Sequence, residues 1–270
     1  MTAAYRARAS RWETPLFNDP WAEALAGADG EALAVEYLKG FPPMELWCAL
    51  RTAYMDEHIK FWTAPPHKFG QVIILGAGLD TRAARLRTEG VEFYEVDHPD
   101  TQQEKLTRLR SLPDYPLDTA HYVGCDFESQ DFIDQLTATG FDADAPAVII
   151  WEGVTAYLTE SAVQSTLRRI ATACHPGSVV VFDYLSRQMA QGTSISDSDR
   201  RTRAVVSELG EEFRFGSNNV LPLLYAEGFQ YVRVINFDEV CLALHGTYDR
   251  ERLFRFQNMA VASVTVHSKL

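Results

Sequence analysis

The stretch Gln71-Val-Ile-Ile-Leu-Gly-Ala-Gly-Leu-Asp-Thr-Arg82, followed by Val91-Glu-Phe-Tyr-Glu-Val-Asp97, decides how this chain is read. An apolar, β-branched run ends in a Gly-x-Gly turn, and a second run ends in an acid about twenty residues on. In a parallel α/β sheet that pattern grips a nucleoside. The glycines let the backbone close on the ligand, and the carboxylate at the next strand end takes the ribose hydroxyls. A third run, His121-Tyr-Val-Gly124, leads into Cys125-Asp-Phe127. There Asp126 is placed to accept from the exocyclic amine of an adenine, and Phe127 to pack on its ring. A fourth run, Val148-Ile-Ile-Trp151, ends at Glu152-Gly153. A charge that closes a buried strand is uncommon without a task.

The loop also chooses among nucleosides. A dinucleotide fingerprint wants a third glycine three positions after the second, so that the first helix packs close to a pyrophosphate. Here that position is Thr81, and Asp80 stands beside it. An anion near a helix start repels phosphate and caps the helix. The loop therefore predicts an adenosine ligand without phosphates. S-adenosyl-L-methionine meets that demand, and a nicotinamide dinucleotide does not. Gly76, Gly78, Asp97, Asp126, Phe127 and Glu152 are the candidate ligand-binding residues. Glu95 alternates to the other face of its strand, so Asp97 is the better ribose partner.

Bulk composition narrows the partners. The 270 residues are 46% hydrophobic and 23% charged, with a formal net charge of −12. That balance speaks against nucleic acid, and the cluster Arg200-Arg201-Thr-Arg203 reads as a solvated helix face. Four cysteines stand far apart, without metal-ligand spacing, and read as buried thiols; no metal is expected. The start lacks the apolar core of a signal peptide, and no run approaches the ~20 apolar residues that span a bilayer. A cytoplasmic protein with no membrane partner is expected. A homo-oligomer is compatible with these numbers.

Residues 1–65 read as a helical cap. One helix is expected to open at Asp19-Pro20, with Asn18 or Asp19 as N-cap, and a second to run from Met44 to about Trp62. From 66 to 270, strands near 71–75, 91–96, 120–124, 146–151 and 178–183 alternate with helices near 80–88, 99–110, 129–138 and 160–174. Such alternation argues for a parallel sheet with helices on both faces. Residues 186–218 are polar and read as a variable lid. A helix near 219–227 and strands near 229–236 and 259–266 complete one compact unit.

These residues together resemble the leucine carboxyl methyltransferase family of class I adenosylmethionine-dependent methyltransferases. The matching segments, in order, are Pro15-Leu-Phe-Asn-Asp-Pro20, Arg51-Thr-Ala-Tyr-Met-Asp56, Leu75-Gly-Ala-Gly-Leu-Asp-Thr-Arg82, Glu95-Val-Asp97, Cys125-Asp-Phe127 and Glu152-Gly-Val-Thr-Ala-Tyr-Leu158. The match fades after about residue 185. The resemblance implies a Rossmann-like α/β fold with a seven-stranded, mostly parallel sheet and an antiparallel last strand. It also implies that Arg51 pairs with the carboxylate of the methionine moiety, a contact suited to a guanidinium fork. By the same resemblance Gly76 and Gly78 line the methionine part, Asp97 holds the ribose, Asp126 and Phe127 hold adenine, and Glu152 and Tyr157 face cofactor or acceptor.

Within the family the chain looks most like the natural-product branch, such as the tetracenomycin carboxyl methyltransferases. The implied activity is O-methylation of a small molecule, a carboxylate of polyketide type first and a phenol second, with S-adenosyl-L-homocysteine as product. A non-catalytic adenosylmethionine-binding protein is the alternative of another class. An ionised carboxylate needs no general base, whereas a phenol does. Tyr157, His245 and Arg250 are the candidates for positioning the acceptor, and His245 is the first candidate base.

Overall fold

A seven-stranded sheet runs through the molecule in the order β3-β2-β1-β4-β5-β7-β6. The strands are β1 (Gln71–Leu75), β2 (Glu92–Asp97), β3 (His121–Gly124), β4 (Ala147–Trp151), β5 (Val179–Leu185), β6 (Tyr231–Asn236) and β7 (Gln257–Ser263). β1 to β5 pair in parallel, and β7 inserts antiparallel between β5 and β6. This computed structural model describes residues 1–40, 43–127, 130–194, 196–208, 210–246 and 256–267.

β1 and β4 are buried along their whole length, which is why they read as continuous apolar runs. Alternate residues serve two cores. Val72, Ile74, Val148 and Ile150 pack with Trp47, Leu50, Met55 and Trp62, while Ile73, Leu75, Ile149 and Trp151 pack with Val163, Leu167 and Ile170. The chain steps from β1 outward to β2 and β3, then back across to β4 and β5. The gap between the carboxyl ends of β1 and β4 is the switch point where open α/β sheets bind ligands.

The helices are α1 (Thr2–Ala9), α2 (Ala22–Gly40), α3 (Met44–Thr63), α4 (Arg82–Arg85), α5 (Pro99–Arg110), α6 (Phe132–Ala138), α7 (Glu160–Ala173), α8 (Arg187–Gln191), α9 (Asp197–Glu208), α10 (Leu221–Ala226) and α11 (Phe237–His245). α3 lies against β4 and β5, and α1 packs on both α2 and α3. Among the described residues no helix is long and apolar enough to cross a membrane.

Several boundaries depart from the sequence expectation, each for a visible reason. α2 starts at Ala22, just past Asp19-Pro20, and the Asp19 carboxylate also meets Arg6 and Thr81. It still accepts the Trp21 N–H at 3.3 Å. The helix expected over 80–88 shrinks to the single turn α4. α6 begins at Phe132, where Asp131 caps it through the Ile133 N–H. Nor is the supposed solvated face of α9 wholly solvated, since Arg203 donates to the Met189 carbonyl at 3.2 Å and to that of Ala190. α11 was not anticipated, although Asn236 and Glu239 form a reciprocal capping box at its start.

Candidate active site

The turn after β1 is fixed by backbone chemistry. Gly76 and Gly78 hold φ of +65° and +47°, values that side chains rarely adopt, and a Cβ on Gly76 would collide with Val154. The Gly76 and Ala77 N–H groups donate to the Val96 carbonyl at 2.8 and 3.2 Å. Asp97, at the end of β2, accepts the Gly78 N–H at 2.5 Å and the His98 N–H at 2.7 Å. Loop and carboxylate thus form one unit.

Above this turn lies a cavity of about 200 Å³, walled by the 76–80 loop, Arg6, Met44, Arg51, Glu152 and Tyr157, with Gly153 and Val154. Its charged groups belong to a buried network that joins the N-terminal helices to the sheet. Arg51 donates to Glu152 at 2.9 Å and to Asp183 at 2.8 Å. Asp183 also accepts the Gly153 N–H at 2.6 Å. Arg82 reaches Asp56 at 2.7 Å, Glu152 at 2.6 Å and Asp80. Arg85 grips Asp56 at 2.7 Å, and Arg6 bridges Asp19 at 2.9 Å and the Leu79 carbonyl at 2.5 Å. A Cβ on Gly153 would come within 3.2 Å of the Arg51 guanidinium, so glycine there lets the arginine lie on the backbone.

The network controls ionisation. Burial alone would raise the Asp80 carboxyl, but Arg82 and Arg6 pull it down to about 2. Glu152 is likewise lowered: burial opposes its charge, and Arg82 with Arg51 outweigh burial. Arg51 is buried, which disfavours its charge, yet Asp183 and Glu152 push its pKa up.

A second cavity, of about 50 Å³, opens beyond Arg51, Gly153 and Tyr157. Its walls include Tyr37, Asp183, Leu185, Val206, Phe213 and Phe256. A third, of about 580 Å³, lies between Phe127 and the start of α7. Tyr157 belongs to the walls of all three.

Of the residues singled out from sequence, Arg51, Gly76, Gly78, Glu152 and Tyr157 meet around the first cavity. Asp97 stands just behind that wall, touching it through Gly78. Phe127 walls the third cavity and packs against Phe132, with ring centroids 6.0 Å apart. Asp126, at the same strand edge, accepts the Gln130 N–H through its carbonyl at 2.8 Å. The side chain of His245 and the whole of Arg250 lie outside the described residues. Sequence reasoning missed Arg6, Asp19 and Asp183. Asp183 ends the apolar run Val179-Val-Val-Phe182 just as Glu152 ends the fourth, so the same signal was present. Arg6 gave none, because its partner Leu79 lies 73 positions away.

A solved methyltransferase candidate from Thermobifida fusca superposes with a TM-score of 0.64 at 16% identity, covering 90% of this chain and 92% of its own. The fold is that of the class I adenosylmethionine-dependent methyltransferases. The chain belongs to the leucine carboxyl methyltransferase family, whose sequence profile matches residues 1–171. A candidate S-adenosyl-L-methionine-dependent methyltransferase of Mycobacteroides abscessus is 33% identical over 203 residues, covering 71% of this chain and 67% of that protein. Another, from Mycobacterium avium, is 31% identical over 262 residues, covering 86% of each. The protein is an S-adenosyl-L-methionine-dependent methyltransferase.

The first cavity suits that methyl donor. At Gly78 a Cβ would meet nothing within 4 Å, so the loop opens onto free space. The wall offers both guanidinium and carboxylate groups for a zwitterionic amino-acid moiety, with Asp97 behind the glycines for hydroxyls.

Proposed function

We propose that this chain transfers the methyl group to an oxygen of a small-molecule acceptor whose reacting group enters the second cavity. The observation that carries this reading is the shared wall: Met1, Met44, Arg51, Gly153 and Tyr157 line both the first cavity and the second. A donor in one and an acceptor in the other meet at those residues.

In this reading Arg51 and Arg6 hold the methionine carboxylate, Asp80 and Glu152 face its ammonium, and the Gly76–Gly78 backbone closes over the chain. Asp97 takes the ribose hydroxyls, and Asp126 with Phe127 take the adenine. The sulfonium supplies an electrophilic methyl group and a thioether leaving group. The protein therefore has chiefly to align oxygen, carbon and sulfur, and alignment alone contributes several kcal/mol. Buried carboxylates already saturated by arginines do not compete as methyl acceptors.

The described residues of 1–65 and 186–218 cover the site in this account. Tyr37 from α2, and Val206 and Phe213 from the later segment, wall the second cavity. Their aromatic character suits an apolar acceptor of polyketide type, of which a cavity of about 50 Å³ admits only the reacting end. Two oxygen acceptors fit the chemistry, a carboxylate, as the family's name says of its namesake members, or an aromatic hydroxyl.

Calorimetric titration with S-adenosyl-L-homocysteine, with NADH as control, tests the donor site, and transfer of labelled methyl from S-adenosyl-L-methionine to aromatic acids and phenols tests the activity. Micromolar binding of S-adenosyl-L-homocysteine alone is expected. A preference for NADH, or no binding, overturns the reading.

A further inference from the structure

The third cavity, of about 580 Å³, has the size of a small-molecule site. On the reading proposed above, on which this inference rests, the methyl donor uses only its Phe127 edge, for the adenine ring. The donor's charged groups lie in the first cavity. Two guanidiniums nonetheless line the third: Arg169 from α7 and Arg214 from the segment after α9. Asp131 is the carboxylate in that wall among the described residues, and both its oxygens are committed. They accept the Ile133 N–H at 2.9 Å and an Arg169 N–H at 2.6 Å. In a chain of net charge −12, this wall carries a surplus of positive charge.

Its donors are only partly used. The Arg169 Nε–H is buried and has no hydrogen-bond partner among the described residues. Arg214 has Glu212 at 3.7 Å, beyond hydrogen-bond reach, and both side chains are more than half exposed. Such a pair holds an arginine weakly. Thr166 is only 8% exposed, yet its hydroxyl, like that of Ser165, has no partner among the described residues. Phe132 and Leu158 add an apolar side to the same wall.

This set of groups selects among anions. A carboxylate has two oxygens, and two guanidinium forks with two hydroxyls offer more donors than it can take. A phosphate monoester presents three terminal oxygens and a charge near −2, which suits paired arginines. A free inorganic ion leaves the apolar side idle. We propose that the third cavity binds a small organic phosphate beside the methyl donor, with its oxyanion on Arg169, Arg214 and the Ser165 and Thr166 hydroxyls, and its apolar body against Phe132 and Leu158.

The test uses the full chain loaded with S-adenosyl-L-homocysteine and four probes: phenyl phosphate, benzoate, benzyl alcohol and inorganic phosphate. In calorimetry at neutral pH and low salt, phenyl phosphate should bind at least about tenfold more tightly than each of the others. Benzoate as tight as phenyl phosphate overturns the phosphate class, benzyl alcohol as tight removes the arginines, and inorganic phosphate as tight removes the apolar body. Arg214→Gln, at a half-exposed position that the fold tolerates, should weaken phenyl phosphate at least about tenfold and leave S-adenosyl-L-homocysteine unaffected. Unchanged affinity in that variant, or no binding of phenyl phosphate by the parent, overturns the site. Phenyl phosphate that binds only in the absence of S-adenosyl-L-homocysteine makes the cavity part of the donor site and overturns the proposal as well. A chain that takes phenyl phosphate through Arg214 but never binds S-adenosyl-L-homocysteine strikes the donor reading alone, so the two fall separately.

Discussion

Two groups of buried charge sit on the same sheet and are built on opposite principles. Around the first cavity, Arg6, Arg51, Arg82 and Arg85 meet Asp19, Asp56, Asp80, Glu152 and Asp183, and both oxygens of each carboxylate have a donor. Beneath β2, Glu95 and Lys105 form a lone pair at 2.5 Å, and the second Glu95 oxygen has no hydrogen-bond partner. The consequences diverge. In the network Asp80 is drawn down to about 2 despite its burial. In the pair burial wins over Lys105 and pushes Glu95 up to about 7. Asp80 faces Arg82, Arg6 and Lys105, whereas Glu95 faces Lys105 together with the like charges of Asp80 and Asp97; several converging cations let a buried carboxylate stay ionised.

Removing a hub should expose the contrast most sharply. Arg82→Met leaves Asp56, Asp80 and Glu152 each short of a donor, and urea unfolding should show a loss of about 3–5 kcal/mol. A loss below about 1 kcal/mol would mean that the network does not hold the N-terminal helices in place. Asp183→Asn keeps an oxygen for the Gly153 N–H but weakens the hold on Arg51. Affinity for S-adenosyl-L-homocysteine should drop about tenfold, roughly 1.4 kcal/mol. Affinity for 5′-methylthioadenosine, which lacks the amino-acid carboxylate, should stay unchanged; a parallel fall in both would make Asp183 merely structural.

The Glu95 pair gives a pH signature of defined sign. Folded Glu95 keeps its proton up to about 7, whereas the unfolded chain releases it near the ordinary glutamate value of 4.5. The folded state binds more protons in that window, so this group's stability contribution is full below it and is lost as pH rises through it. Thermal melts of Glu95→Gln against the parent, from pH 4 to 8, should show the difference shifting in the variant's favour as pH rises. A constant difference would place Glu95 in the ionised class of the network. The smallest effect belongs to the exposed pair Arg200–Asp197 on α9. Arg200→Ala should change stability by no more than about 0.5 kcal/mol.

Much of the sheet was legible because its strands announce themselves. The runs ending at Leu75, Asp97, Gly124 and Trp151 are apolar and bounded by glycine or acid, and the structure places each within a residue or two. Gly76 was legible for the same local reason, a Gly-x-Gly turn closing an apolar run, although the Val154 side chain that also demands glycine there lies far off in the sequence. What stayed hidden was the pairing of side chains across long separations. Glu152 announced itself as an unusual charge, but nothing nearby in the sequence says that Arg51 and Arg82 share it. Asp19 read as a helix cap and does accept the Trp21 N–H, but nothing nearby in the sequence says that Arg6 and Thr81 share its carboxylate. α11 escaped because its capping box follows directly on a strand, where apolar residues continue without a break.

The shared grip of Glu152 and Asp183 on Arg51 also has a consequence for biosynthesis. Arg51 leaves the ribosome with α3, and Asp183 follows 132 positions later. Until then the guanidinium stays hydrated, and α1 to α3 lack the carboxylates that anchor them over β4 and β5. The donor site therefore cannot mature piecemeal. It comes into being only once the fifth strand has docked, which would make binding of the methyl donor a reporter of that docking.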